Sequence, residues 1–559
     1  MFSGNTTQNT TRPISEQMAS YPSNKLTIVG GGIIAALEAY YAYLDAKNNN
    51  KKLRVTIHEK NTTIAETTTS NIVPSLTPDE ILSVVPRGPA LVEKLGILFS
   101  KPGGIRVDDV AGVNHSEVAQ RFINQVQEYS KDEVGHDARA KTLLELGKRS
   151  MDLWQGIYDN ADAELKKILE ESNFNPCREP RSQHPMLHDG YRIDLIYNVP
   201  NAKNRAEGMK KDYESLGYKS CKVLSPAEVQ TLDPYLTDFC NKHSDTDELG
   251  ESKWKNDTVA LYRPGGCLDT SIFLPKFYAY LKKVMGQYVN EAGKHQDCFQ
   301  MRFERNVTDV TYEEQNKSIV NGLQFFNGTV KHNKHIYNHS DYVFCPGEAV
   351  GTLEKFGFAE PAYARFAGAS LRLNIPIPAN KLEAYSKFNH CMEVHQEGVV
   401  LALQARVKGN NIFIGVAGTK AFYSNIKPHK DQEFAKNRNL LQLNMINDVL
   451  PEFISWALGR DTKGHKLTET DLAILEEKGI AIRWAGTRAV AYDGFPTLGN
   501  LYNADGKVEN ARGTTQLGSG GVSFGPGTVL ASRSAMQENP SEDTLVNQVL
   551  VYGSSRRKL

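Results

Sequence analysis

One short stretch near the start of the chain restricts its fold more than any other. Lys25 to Val29 is a β-branched run, KLTIV, followed at once by Gly30-Gly31-Gly32-Ile33-Ile34-Ala35 and then by the helical pattern ALEAYYAYLDAK. Strand, glycine turn and helix in this order give each small residue a geometric duty. Gly30 permits the tight turn, Gly32 lets a pyrophosphate approach the backbone, and Ala35 lets helix pack on strand. The helix N-terminus then faces the phosphates. A second strand pattern, LRVTIHEK, ends in Glu59, placed where a carboxylate accepts a hydrogen bond from an adenosine ribose and disfavours a 2′-phosphate. A glycine-rich turn without a nucleotide is the competing reading; strand, helix and acid in register weigh against it. These residues alone do not separate FAD from NAD.

The chain has 559 residues, too many for one ordinary domain, and two intertwined domains are expected. Its 65 Lys and Arg balance 65 Asp and Glu, so no global field draws it to nucleic acid or an anionic membrane. Met1 to Ser23 is rich in Asn, Thr, Ser and Gln and reads as a disordered tail with no secretory pattern. No apolar run approaches the roughly 20 residues of a membrane helix, so no transmembrane segment is expected. Seven scattered cysteines with no C-x-x-C spacing suggest neither zinc nor a disulfide framework, and fit reduced thiols in the cytoplasm.

Further along, Thr67-Thr68-Thr69-Ser70-Asn71 is a run of short hydroxyl and amide groups suited to a phosphate or flavin edge, or to an ordinary polar loop. Gly265-Gly266 breaks a strand before an amphipathic helix over Leu268 to Lys283. Asn306-Val307 opens a β-pattern that passes through a hairpin, IVNGLQFFNGTV, to a buried strand over Asp341 to Cys345 and the turn Pro346-Gly347. Near the far end, IRWAGTRAVAYDGFPTLGN carries Arg488 close to the Asp493-Gly494 turn. In LGSGGVSFGPGTVL, Pro526 and Thr528 start a helix whose glycine-rich entry leaves backbone N–H groups for a partial negative charge, or simply packs closely.

Together these blocks resemble the D-amino-acid oxidase superfamily, the FAD-dependent group that includes glycine oxidase and sarcosine oxidase, over most of the chain. The anchors are Gly30 to Ala35 with Glu59, KVLSPAE at 222 to 228 leading to Asp233-Pro234, the GGCLDT turn, FCPGEA at 344 to 349, and the two C-terminal motifs. The resemblance implies an α/β fold: a discontinuous Rossmann-like FAD-binding domain with an α+β substrate domain on an antiparallel sheet. The expected pieces are 24–80, 258–365 and 480–559 for FAD, 185–257 and 366–479 for substrate, and a helical insertion over 86–180 serving as lid, oligomer contact or partner surface.

The resemblance also implies roles. Gly486-Thr487-Arg488-Ala489 resembles the family's GLRP-like motif, whose arginine grips the substrate carboxylate; Ala489 replaces the frequent proline and frees the loop. Gly30, Gly32, Ile33, Ile34, Ala35, Glu59, Lys60, Thr69, Ser70, Val307, Gly347, Arg488, Gly520, Gly521, Val522 and Ser523 are the expected cofactor contacts, with Tyr492 beside the substrate. No His or Cys lies at 67–71 or 518–528, where covalent members attach flavin, so noncovalent FAD is expected. The implied reaction is hydride transfer from a small carboxylate-bearing amine to flavin N5, with oxygen or a quinone as electron acceptor. Two alternatives stand beside it. One is a dehydrogenase of a 2-hydroxy acid or polyol phosphate, which needs a base such as His390 or His395. The other is a flavin-loaded interaction protein without turnover.

Overall fold

The computed structural model describes residues 25–72, 75–78, 105–107, 117–129, 131–175, 191–248, 250–289, 294–326, 335–336, 340–347, 352–396, 399–423, 432–517, 520–535 and 542–554. The expected tail, Cys177, the start of the expected insertion, Glu348-Ala349 and Gly518 lie outside the described residues.

The β-branched run becomes the Lys25–Val29 strand, paired in parallel with Arg54–His58 on one side and Asp341–Phe344 on the other. Phe299–Arg302 extends this sheet beyond Arg54–His58, and Gly506–Thr515 extends it beyond Asp341–Phe344, both in parallel. Thr497–Asn503 closes the edge as an antiparallel hairpin partner. Parallel neighbours need crossovers, and helices cover both faces in the usual solution. Here helices cover one face. Leu26 and Ile28 pack on Ile33–Asn48, Thr270–Met285 and Gly525–Ser534, whereas Val29 and Phe344 face a small antiparallel sheet of Asn306–Tyr312, Val320–Phe326 and His335–Ile336.

The second, larger sheet runs in the order 481–491, 363–376, 411–423, 399–408, 389–396, 191–196, 259–264, 222–224. It is antiparallel except that 191–196 joins 389–396 in parallel and Ile105–Val107 adds in parallel to 420–422. Strand alternation gives it two unlike faces. Leu371, Leu373, Ile375, Leu401, Leu403, Ile414 and Val416 bury one face against the helices Gln432–Val449, Pro451–Leu458 and Glu469–Glu477. The other face carries Arg192, Asp194, Arg263, Glu393, Ser370, Arg372 and Arg406.

Two strands differ from the expected partition: 259–264 and 481–491, assigned by sequence to the nucleotide-binding pieces, pair within this larger sheet. Their alternating patterns suit either sheet, and only non-local pairing decides between them. The expected 86–180 insertion also divides. Glu133–Asp159 and Ala163–Glu171 join the main core through Leu143, Leu146, Trp154, Leu165 and Leu169, so this part is scaffold. Among the described residues, no helix is long and apolar enough to cross a membrane.

Candidate active site

The glycine turn is held from three sides. Gly30, at φ +105°, lies so close to the neighbouring strand end that a Cβ there would sit 2.2 Å from the Cys345 carbonyl oxygen. Its N–H donates to the His58 carbonyl at 2.9 Å. The buried Tyr278 hydroxyl donates to the carbonyls of Gly31 and Gly32 at 3.2 and 3.1 Å, and burial, with Glu59 nearby, pushes that phenol well above its usual range. Helix Ile33–Asn48 has Gly32 as its N-cap, with no capping side chain and no acidic residue in its first turn. Thr69 Oγ1 accepts from Ile33 N–H at 3.2 Å. The remaining first-turn amides have no intrahelical acceptor, which suits an anion.

Gly30, Gly32, Glu59, Lys60, Thr69, Val307 and Gly347 line a single cleft, together with Arg305 and Asn306. Ile33, Ile34 and Ala35 form the buried first turn of the helix behind it. Glu59 is buried, and both its oxygens already serve the backbone: Oε2 accepts from Gly31 N–H at 2.7 Å and Oε1 from Asn61 N–H at 3.0 Å. Each oxygen keeps a further lone pair for a ribose hydroxyl.

Ser70 departs from expectation. Its hydroxyl turns into its own loop and donates to the Ile64 carbonyl at 2.8 Å, because it follows the Thr67 cap of a one-turn helix. Its backbone carbonyl instead accepts from the Arg372 guanidinium, and Ser370 Oγ donates to the Asn71 carbonyl at 2.9 Å. These contacts fasten the 64–71 segment to the polar face of the larger sheet.

Gly520 to Ser523 form a tight turn entering helix Gly525–Ser534, with Phe524 N–H donating to the Gly520 carbonyl at 2.8 Å. Trp154 Nε1–H donates to the Val522 carbonyl at 2.9 Å, and Ser523 Oγ accepts from Thr77 N–H at 3.4 Å. A Cβ on Gly521 would meet nothing within 4 Å, so the turn borders open space.

Arg488 lies outside the cleft, half-buried on the Ala481–Ala491 strand and directly across from Phe366. Unbroken register places it on the same face as Ser370 and Arg372. Trp484 folds over Gly486, where a Cβ would fall 1.9 Å from the indole ring. The Tyr492 ring stands edge-on to Tyr129 at 6.0 Å. Asp493, in the turn that follows Arg488 in sequence, lies 3.9 Å from Arg139 and accepts from Phe495 N–H at 3.0 Å.

At the far end of this face, Arg192 and Arg263 bridge Asp194 and Glu393 in a buried square. Arg192 stands 2.9 Å from Asp194 and 2.8 Å from Glu393, and Arg263 pairs with both acids. Burial opposes charge on Glu393, but the two guanidiniums outweigh it and hold the carboxyl well below its usual range. Asp194, Glu393 and His395 cluster closely enough for a metal, yet both carboxylates are already neutralised by arginine. His395 is engaged there too, 3.2 Å from Glu393 and 3.1 Å from Arg205. His390 points to the opposite, apolar face and pairs with Asp233 at 2.9 Å.

Sequence reasoning missed Tyr278, Trp154, Arg305 and Arg372. The first two sit on amphipathic helices where an aromatic reads as core; Arg372 carries a period-two signal, a charge in an otherwise apolar strand.

The arrangement of the two sheets and their helices is similar to that of solved structures of low sequence identity. Two solved structures show the likeness. Iminodiacetate oxidase from Chelativorans sp. BNC1 is 13% identical, with 93% of this chain and 97% of that chain covered and a TM-score of 0.50. NikD, described as an unusual amino acid oxidase essential for nikkomycin biosynthesis, is 12% identical, with 94% and 96% covered and a TM-score of 0.51. No protein-family model and no curated protein matches the chain.

Proposed function

We propose that this chain is an FAD-dependent oxidoreductase that oxidises a small carboxylate-bearing amine, binding the cofactor noncovalently in a Rossmann-like domain. One observation carries the reading: seven residues expected from five separate stretches to hold the dinucleotide line a single cleft beside a helix N-terminus whose N-cap glycine offers no side chain. The site fits the group. The close approach at Gly30 leaves no room for a side chain, and the first-turn amides suit a pyrophosphate. Bound FAD would supply the hydride acceptor, flavin N5.

The chain's own residues bind and orient. The turn Gly520 to Ser523, braced by Trp154 and Thr77, directs amides toward the open space beside Gly521, where partial positive charge is useful. Arg488 holds the substrate carboxylate through paired hydrogen bonds, fixing the α C–H more tightly than a lysine point charge would. Trp484 and Tyr492 are the aromatic residues assigned to that end of the substrate site, and the 64–71 segment is fastened to the same sheet face. The names of the two neighbouring structures, an iminodiacetate oxidase and an amino acid oxidase, support an amine substrate.

A hydroxy-acid reading needs a general base. His390 lies on the apolar face of the sheet, and both ring nitrogens of His395 are engaged, by Glu393 and Arg205, which favours the amine.

The test is an anaerobic absorbance screen of the purified protein against glycine, sarcosine, D-amino acids, proline, iminodiacetate and 2-hydroxy acids. Bleaching of a flavin band by an amine, with kcat/KM about 100-fold lower in Arg488→Ala, is the expected result. Bleaching by hydroxy acids alone refutes the substrate class. A protein that binds no FAD refutes the cofactor.

A further inference from the structure

Cys267 and Cys391 are 124 residues apart in sequence, and the fold brings their thiols together. The Gly265-Gly266-Cys267 turn presses onto the stem of Arg192, where a Cβ on Gly265 would sit 2.5 Å from the arginine Cδ. Cys391 lies on the polar face of the Asn389–Gln396 strand, two residues before Glu393. Its Sγ–H donates to the Gly266 carbonyl at 3.3 Å, which sets the Cys391 thiol beside Cys267. Cys267 Sγ also contacts the Asn173 carbonyl at 3.2 Å. We propose that Cys267 and Cys391 form an oxidative modification site, closing to a disulfide on exposure to hydrogen peroxide.

The two thiols are prepared for different parts. The neighbouring Cys267 thiol holds the Cys391 thiol below its usual value; burial opposes this, and the Arg192 guanidinium assists it. Cys267 is pushed the other way, by the neighbouring Cys391 and then by burial. Among the described thiols whose ionisation is shifted, Cys240, Cys298 and Cys345 all move up through burial, so Cys391 stands apart. It also keeps partial exposure, whereas Cys221, Cys240, Cys267, Cys298 and Cys345 are buried. A partly exposed cysteine whose thiol is shifted toward ionisation, with a second thiol beside it, is the pattern of a redox-sensitive pair.

The chemistry balances. The Cys391 thiolate attacks one peroxide oxygen, the O–O bond breaks, and the departing oxygen leaves as water after taking up a proton. Cys267 sulfur then displaces the hydroxyl of the resulting sulfenic acid, forming the S–S bond and releasing a second water that carries the Cys267 proton. Two thiols and one peroxide give one disulfide and two waters. The bond ties the 265–267 turn, which pairs with Ser75-Leu76, to the larger sheet.

The test uses the protein as purified, reduced with dithiothreitol, freed of reductant and titrated with hydrogen peroxide. Remaining thiols are alkylated and the digest is mapped by mass spectrometry. A Cys267–Cys391 cross-linked peptide is expected, with two alkylatable thiols lost per chain and both recovered on reduction. Cys298→Ser should keep the cross-link, and Cys267→Ser should leave Cys391 as a sulfenic acid trapped by dimedone. Two results overturn the proposal: both thiols alkylated at peroxide levels that oxidise other cysteines, or Cys391 over-oxidised while Cys267 stays free. Because the primary readout is on the unmodified chain, a variant that fails to fold does not affect it.

Discussion

Gly30→Ala isolates the close approach on which the proposed dinucleotide cleft depends. At φ +105° an alanine carries backbone strain on the order of 1–3 kcal/mol. Its Cβ would also fall 2.2 Å from the Cys345 carbonyl oxygen, so turn and strand end must separate by roughly 1 Å. Neither side yields easily. Cys345 N–H is bonded to the Val29 carbonyl at 2.8 Å, and Phe344 beside it is 1% exposed. The total should reach about 4 kcal/mol. Gly357→Ala is the matched control: φ is +79°, but nothing lies within 4 Å of its Cβ, so only strain of about 1 kcal/mol applies. Chemical denaturation of both variants, with bound FAD quantified by absorbance, separates the two terms. Gly30→Ala should lose most of its flavin and unfold much earlier, whereas Gly357→Ala keeps its flavin. Equal stability and equal flavin content in the two variants would refute the reasoning.

Glu393→Gln leaves Arg192 and Arg263 sharing one carboxylate in a buried site and should cost about 3–5 kcal/mol, read as a lower denaturation midpoint. Because the folded pKa of Glu393 is depressed, its contribution is full above the unfolded value of roughly 4.3 and is lost as pH falls through the folded value. The gap between wild type and variant should therefore stay flat from about pH 8 to 5 and narrow in stronger acid; a gap that closes near neutrality contradicts the assignment. Burial, with Lys242 adding repulsion, lowers His243 to about 4. Its neutral form is the folded form, so stability falls as pH drops below the unfolded value of roughly 6.5, by up to about 3 kcal/mol near pH 4. His243→Phe, which keeps the ring packing on Phe239 and Tyr197, should flatten that limb of the pH–stability profile. Trp154→Phe removes the donor to the Val522 carbonyl and should cost about 1–3 kcal/mol, with faster amide exchange across 520–524; unchanged exchange would mean that the turn is braced otherwise.

The nucleotide end was legible because its signals are local. KLTIV, three glycines and a helix pattern lie within two dozen residues, and the period switches from two to 3.6 at the turn. Glu59 was found by position, but its bonds to Gly31 and Asn61 were not, since a carboxylate bracing its own turn has no composition signature. The strands of the larger sheet were also readable as strands. Their membership was not: 259–264 and 481–491 alternate like any half-buried strand, and register with 191–196 and 363–376 is a non-local fact. The helix Glu133–Asp159 was read as part of an insertion because that stretch has no clear counterpart in the smaller members of the family the motifs resemble. Only the seat of Trp154 under Val522 and of Ser150 at 3.2 Å from Gly527 N–H shows it to be scaffold.

The charges on the larger sheet explain why that face is closed and not solvated. A half-buried antiparallel sheet ordinarily turns its polar residues to water, where exposed ion pairs add little. Here Arg192 and Arg263 are fully buried and neutralised by Asp194 and Glu393, while Arg372 and Arg406 reach across to the Ser70 carbonyl and to Asp269. Asp269 caps the helix Thr270–Met285, whose Tyr278 holds the glycine turn. A chain of contacts therefore runs from the sheet face, through that helix, to the glycine turn, and a second runs through Ser70 and Thr69 to the first turn of helix Ile33–Asn48. Buried charges left unpaired cost several kcal/mol each, so sheet and cleft hold a fixed relation only while both chains of contacts stay intact.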